Sequence, residues 1–188
     1  MTTAQVETTT MKTTHDNGRA LRLAVALVLA AAGGAFGVNS HAGIDTASLP
    51  VSAQINATCT ISTVPLAFGN YDPIVDNKTA ALTGTGFVST ICTIGSAVTI
   101  TLGQGANPAG GSTDTVPLRQ LASGADRLAY FLYSEPTRIT VWGNTVLTGK
   151  TDTGTGAASQ LTIYGAVTGG QNKPVGSYTD TVVATVTY

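Results

Sequence analysis

The chain has 188 residues, 43% of them hydrophobic and only 10% charged, with a formal net charge of −1. That balance excludes a general nucleic-acid binder, which needs a basic surplus to neutralise phosphates. The two histidines, His15 and His41, both precede the export cleavage read below, so the exported part holds none. Ser–His and Cys–His nucleophiles and imidazole metal sites are thereby excluded from it.

In chain order, the first element is a targeting segment. Lys12, Arg19 and Arg22 precede an apolar run over residues 23–32, and Ser40-His41-Ala42 offers a small-x-small cleavage site. Residues 1–42 therefore read as a signal peptide, with Gly43 as the mature start. An uncleaved anchor is the alternative, and translation from Met11 would shorten the long basic region. We expect mass spectrometry of surface material to find Gly43 first. Residues 23–35 still attached would contradict the export reading. The remaining 146 residues fit one domain and hold six Lys/Arg and eight Asp/Glu.

The mature part is rich in Thr, Val and Gly, which suits strands joined by turns. Residues 49–57 place Leu49, Val51, Ala53, Ile55 and Ala57 on one face if extended. Strand-like segments follow at 60–68, 80–94 and 97–102. Residues 103–124 read as a Gly-rich connection. Leu128-Ala-Tyr-Phe-Leu-Tyr133 is an aromatic strand, 138–142 a short one, and 143–159 a polar loop. Segments 160–167 and 178–188 complete the set, an all-β sandwich or barrel.

In the last segment Val182, Ala184, Val186 and Tyr188 alternate with Val183, Thr185 and Thr187. Both faces are fairly apolar, which suits a packed strand better than a wet edge. The sequence ends on this strand, so either an earlier segment or another chain is expected to cover its free edge.

Cys59 and Cys92 are an even pair in an exported chain, which suggests a disulfide. Two free buried thiols or a metal pair are the alternative, although two thiols without histidine make a poor zinc site. Asp72, Asp76, Asp114, Asp126 and Glu135 sit at turns and strand ends and read as solvated acids rather than a catalytic dyad. Trp142, Tyr130, Tyr133 and Tyr164 read as core and sheet surface rather than a sugar site. Gly103-Gln-Gly105 lacks the spacing of a phosphate loop.

Several spaced elements then point one way. Ala57-Thr-Cys59 is followed by Leu66-Ala-Phe68-Gly69-Asn-Tyr71-Asp72-Pro73, then Ile91-Cys92-Thr93. Leu128-Ala-Tyr-Phe-Leu-Tyr133, Ile163-Tyr-Gly165 and Gly176-Ser-Tyr178-Thr-Asp-Thr-Val come after. In their order and in the terminal strand the chain resembles the spore coat protein U domain family, which includes the pilus subunits of archaic chaperone–usher systems. The resemblance implies an incomplete immunoglobulin-like sandwich lacking its last strand, spanning 59–188, with an N-terminal donor extension at 43–58. It implies that a periplasmic chaperone first lends the missing strand and that the next subunit's extension then replaces it at an outer-membrane usher. Leu49, Val51, Ala53 and Ile55 would then be donor residues, and Val182, Ala184, Val186 and Tyr188 the acceptor edge that also meets the chaperone. The expected role is a surface pilus or fibre subunit, with neighbouring copies as partners. No reaction, cofactor, small-molecule substrate or nucleic acid is expected. A coat protein of the same fold and a tip adhesin are the alternatives, and a complete sandwich with residues 49–57 as its first strand is a third.

Overall fold

The computed structural model describes residues 42–188. The signal-peptide reading lies outside the described residues, except for Ala42. The chain divides after Pro50, and the folded unit is Val51–Tyr188. Residues 42–50 and 51–58 form no helix or strand, and every one of them is exposed.

Eight strands follow: β1 Cys59–Val64, β2 Leu82–Cys92, β3 Ala97–Leu102, β4 Arg119–Ser123, β5 Asp126–Tyr133, β6 Lys150–Thr153, β7 Ala158–Val167 and β8 Ala184–Thr187. They build a five-stranded sheet in the order β1-β2-β7-β5-β4 and a three-stranded sheet in the order β6-β3-β8, antiparallel throughout. Period-2 alternation decides which side chains meet between the sheets. Val88 and Cys92 of β2, Leu128, Tyr130 and Leu132 of β5, and Ile163 and Val167 of β7 face Val98, Ile100 and Leu102 of β3 in one buried cluster. The all-β sandwich reading holds.

Four local readings are corrected. The segment 103–124 is a connection only in its first part, because its last five residues are β4. The polar loop 143–159 contains β6 and the first residues of β7. Residues 138–142 are no strand. Arg138 adopts φ 54, and only a single bridge joins Val141 to Tyr133. Ile139 is accordingly exposed, while Trp142 is fully buried and donates its indole N–H to Ile100 O at 2.8 Å. Finally, β1 stops at Val64. Leu66 and Phe68 then turn inward over Gly84, Gly86 and Gly165, where a Cβ on Gly165 would stand 2.8 Å from both side chains. Those glycines make room for the crossing segment.

Arg119 is buried and staples the two sheets. Its Nε donates to Gly103 O at 2.8 Å, and its Nη2 donates to Leu102 O at 2.7 Å and Trp142 O at 2.8 Å. β6 pairs with β3 only as far as Ile100, so these carbonyls lie beyond the reach of that ladder. Burial brings the Arg119 pKa down to about 10, against the opposing pull of Tyr130 and Asp180. Tyr130, opposite Arg119 in the ladder, donates to Asp180 Oδ2 at 2.7 Å. Burial, then that bond and the Asp180 charge, push the phenol far above its usual range.

Cys59 and Cys92 form the expected disulfide and sit directly opposite each other in the β1–β2 ladder, Cα to Cα 4.2 Å. That spacing belongs to a non-hydrogen-bonded pair. In the chain-entropy account a loop of this size contributes about 3–4 kcal/mol. Replacing both cysteines by serine should lower stability by about that much. Non-reducing peptide mapping of the native protein should recover the linked pair, and two alkylatable thiols would contradict it.

Candidate assembly groove

The two sheets do not close on each other along one side. β1 is an edge of the five-stranded sheet and β8 an edge of the three-stranded sheet. The two strands come within 8 Å, Cα to Cα, yet share no ladder. Two strands flanking a third would stand about 9–10 Å apart. The seam is therefore narrower than one strand, and β1 and β8 must separate to admit one.

Ladder parity shows which groups face this seam. Thr93 N donates to Thr58 O at 3.0 Å, so residues 58, 60, 62 and 64 direct their main-chain groups to β2. Cys59, Ile61 and Thr63 direct theirs outward, into the seam. On the other wall Gly103 N donates to Val183 O at 2.8 Å, so Val183, Thr185 and Thr187 bond to β3. Ala184 and Val186 are then the β8 residues with main-chain groups free at the edge. Among the described residues no strand pairs with either edge.

The same residues turn their side chains to the interior. Val182, Ala184 and Val186 are half-buried against the core, Tyr188 is exposed, and Val183 on the opposite face is exposed. β1 has half-buried Cys59 and then exposed residues to its end, Ile61 included. A core-facing strand this exposed lacks a cover.

Beyond Val64 and before Val182 the seam widens into a cleft of about 1010 Å³. One bank is the segment 66–74 and the other 171–180, with Leu121, Leu128 and Val167 between them. Tyr71 bridges the banks. Its hydroxyl donates to Thr168 O at 2.9 Å and accepts from Gln171 N at 2.9 Å. Gln171 in turn exchanges bonds with both main-chain groups of Ala129 in β5. Tyr178 lines the same cleft and donates to Pro174 O at 2.9 Å.

Of the expected edge residues, Ala184 and Val186 lie in β8, while Val182 and the exposed Tyr188 flank it. The structure leaves Val51, Ala53 and Ile55 outside the seam, with Val51 at 87% and Ile55 at 85% exposure; Leu49 is exposed as well. Sequence reasoning missed the second wall, Ile61 and Thr63, and the Tyr71–Gln171 clasp. The alternation Cys59-Thr-Ile61-Ser-Thr63 carried a signal for the wall, while nothing local announced a clasp across 100 residues.

Comparison with known proteins bears on this arrangement. The spore coat protein U domain model matches residues 45–185, three quarters of the chain. The chain belongs to the spore coat protein U domain family. A curated family relative, Protein U of Myxococcus xanthus, is 45% identical over 177 residues, covering 90% of this chain and 99% of that protein. The fold is shared with a chain in the complex of CsuC and CsuE, chaperone and tip adhesion subunit of the archaic chaperone–usher Csu pili of Acinetobacter baumannii. The TM-score is 0.51 at 15% identity, over 71% of this chain and 40% of the matched one. The family is that of a spore coat domain, and the fold match adds the shared architecture alone.

Proposed function

We propose that this protein is an exported subunit that assembles head-to-tail by strand donation into a surface fibre. Residues 49–57 of one copy enter the β1–β8 seam of the next. The observation that carries this reading is the seam itself, with main-chain groups on both walls that pair with no strand among the described residues, and with half-buried apolar side chains turned inward. Such edges take an extended segment by β-augmentation, in which the ladder supplies affinity and alternate side chains fill pockets. Leu49, Val51, Ala53 and Ile55 supply the alternation. Leu, Val and Ile side chains contribute roughly 1.5–3 kcal/mol each on burial. Nine extended residues span ~30 Å, close to the ~36 Å of an 11-residue strand such as β2. Pro50 cannot donate to a ladder and belongs at the start of the inserted strand.

The same edge would first accept a strand from a periplasmic chaperone and reach its partner copy at an outer-membrane usher. Because donor and acceptor surfaces differ, the contact is heterologous and yields an open filament. The 45% relative and the family model favour a second reading, a coat layer built from the same contact without long fibres. Electron microscopy of the cell surface distinguishes the two.

Complementation tests the common core. Chain lacking residues 43–57 should aggregate alone and become a stable monomer when a synthetic peptide of residues 47–57 is added. A stable monomer without peptide would refute strand donation. Ala184→Asp places a charge on the groove wall, and it should prevent both chaperone binding and assembly. Retained assembly in pull-down and sedimentation would move the acceptor edge elsewhere.

A further inference from the structure

The geometry points to Thr93 as a positioning residue that aims the N-terminal extension at a second copy and away from the domain's own seam. This rests on the strand-donation reading and specifies how insertion in trans is favoured over insertion in cis.

The turn after β2 sets the path of the extension. Ser96 N donates to Thr93 O at 3.1 Å, closing a turn that carries Gly95 at φ 80. That bond occupies the carbonyl which would otherwise continue the ladder to residue 58. The Thr93 hydroxyl takes its place. Thr58 N donates to Thr93 Oγ1 at 3.1 Å, and Thr93 Oγ1 lies 3.3 Å from Thr58 O, which also accepts from Thr93 N. The β1–β2 pairing is thereby carried one residue past the disulfide, and Thr58 is held in line with β1.

The direction matters because of parity. Entering its own seam, the extension would have to run back along the open edge of β1. Thr58 presents both main-chain groups to Thr93, so it cannot be the first residue paired with a returning strand. Cys59 is the first residue that faces the seam. Every short return to Cys59 therefore includes Thr58 inside the loop. A two-residue return over Ala57 and Thr58 would need positive φ at both in a type I′ turn, or at Ala57 in a type II′ turn, which residues other than glycine resist. The clasp must open before any such loop forms. Instead Ile55 and Ala57 run beside the 93–96 turn, where they line a recess of about 470 Å³ with Thr93, Ile94, Gly95 and Ser96. This is the end of the sheet at which β2 finishes and β3 begins, so residues 55–57 lead off the end of the domain.

The experiment uses the mature chain with a photo-crosslinking benzoylphenylalanine at Gln54, assembled from an equal mixture of isotopically light and heavy copies. Crosslinks between light and heavy chains report insertion in trans, and same-label crosslinks above the statistical share report insertion in cis. Wild type and Thr93→Ser keep a hydroxyl and should give the share expected of random mixing. Thr93→Val loses the two side-chain bonds and should show a several-fold fall in mixed crosslinks, with a matching rise of monomer in sedimentation. Thr93→Ala gives the same reading if the valine variant does not fold. A mixed share unchanged in Thr93→Val or Thr93→Ala would overturn the inference. Val51→Asp, run in parallel, should remove crosslinks of both kinds. If they persist there, the strand-donation reading itself fails, which is a different result from an unchanged Thr93 variant.

Discussion

Val51→Asp is expected to abolish assembly while leaving the subunit folded and able to bind its chaperone. Val51 is almost fully exposed in the subunit, so the change costs the isolated domain almost nothing. In the filament the same position would lie inside the seam among Val182, Ala184 and Val186, apolar neighbours that offer a carboxylate no partner. Burial of an unpaired carboxylate adds to the lost valine burial, a penalty on the order of 4 kcal/mol or more at each junction. About 4 kcal/mol corresponds to roughly a thousandfold loss in each association constant. Sedimentation of Val51→Asp should show only chaperone-bound subunit or aggregate. Val51→Ile, which keeps the shape and adds apolar surface, should assemble. An Asp variant that unfolds on its chaperone would place residue 51 in its own domain's core.

Arg119→Met should destabilise the domain more than any surface change. The side chain it replaces satisfies three carbonyls, those of Leu102, Gly103 and Trp142, where β6 has already stopped pairing. Methionine keeps the length and removes the donors. The expected loss is about 3–5 kcal/mol, because carbonyls left buried without donors forfeit their solvation. In a domain of this size that lowers the melting temperature by about 10–20 °C. Circular dichroism of assembled material measures it. Arg119→Lys should recover only part, since an ammonium cannot span three carbonyls with a planar fork. A methionine variant that melts with wild type would show that the staple is incidental.

Much of the fold was legible because the long strands alternate. β3 and β5 carry apolar residues at every second position, and β2 and β7 do so over part of their length, a periodicity that identifies a strand without help from its neighbours. β4 and β6 escaped notice for the opposite reason. Arg119-Gln-Leu-Ala-Ser123 and Lys150-Thr-Asp-Thr153 are short and mostly polar, so their strand character comes from the partner they pair with. The segment 138–142 misled because Ile139 and Val141 suit a strand. The burial of Trp142 and the left-handed turn at Arg138 bend it instead. The alternation of Val182, Ala184, Val186 and Tyr188 made the last strand legible, but the expected strand over 178–188 forms only at Ala184–Thr187. The alternation of Cys59, Ile61 and Thr63 carried a local signal for the β1 wall, whereas the Tyr71 clasp depends on contacts between residues far apart in sequence, which no local pattern encodes.

The central claim is that the β1–β8 seam is filled by the extension of another copy. Electron cryomicroscopy of the assembled material tests it most directly. The account predicts an added strand between β1 and β8, bearing Val51, Ala53 and Ile55 on its inward face and continuous with a neighbouring subunit. A seam closed by the subunit's own residues, or left empty in the assembled material, would contradict it.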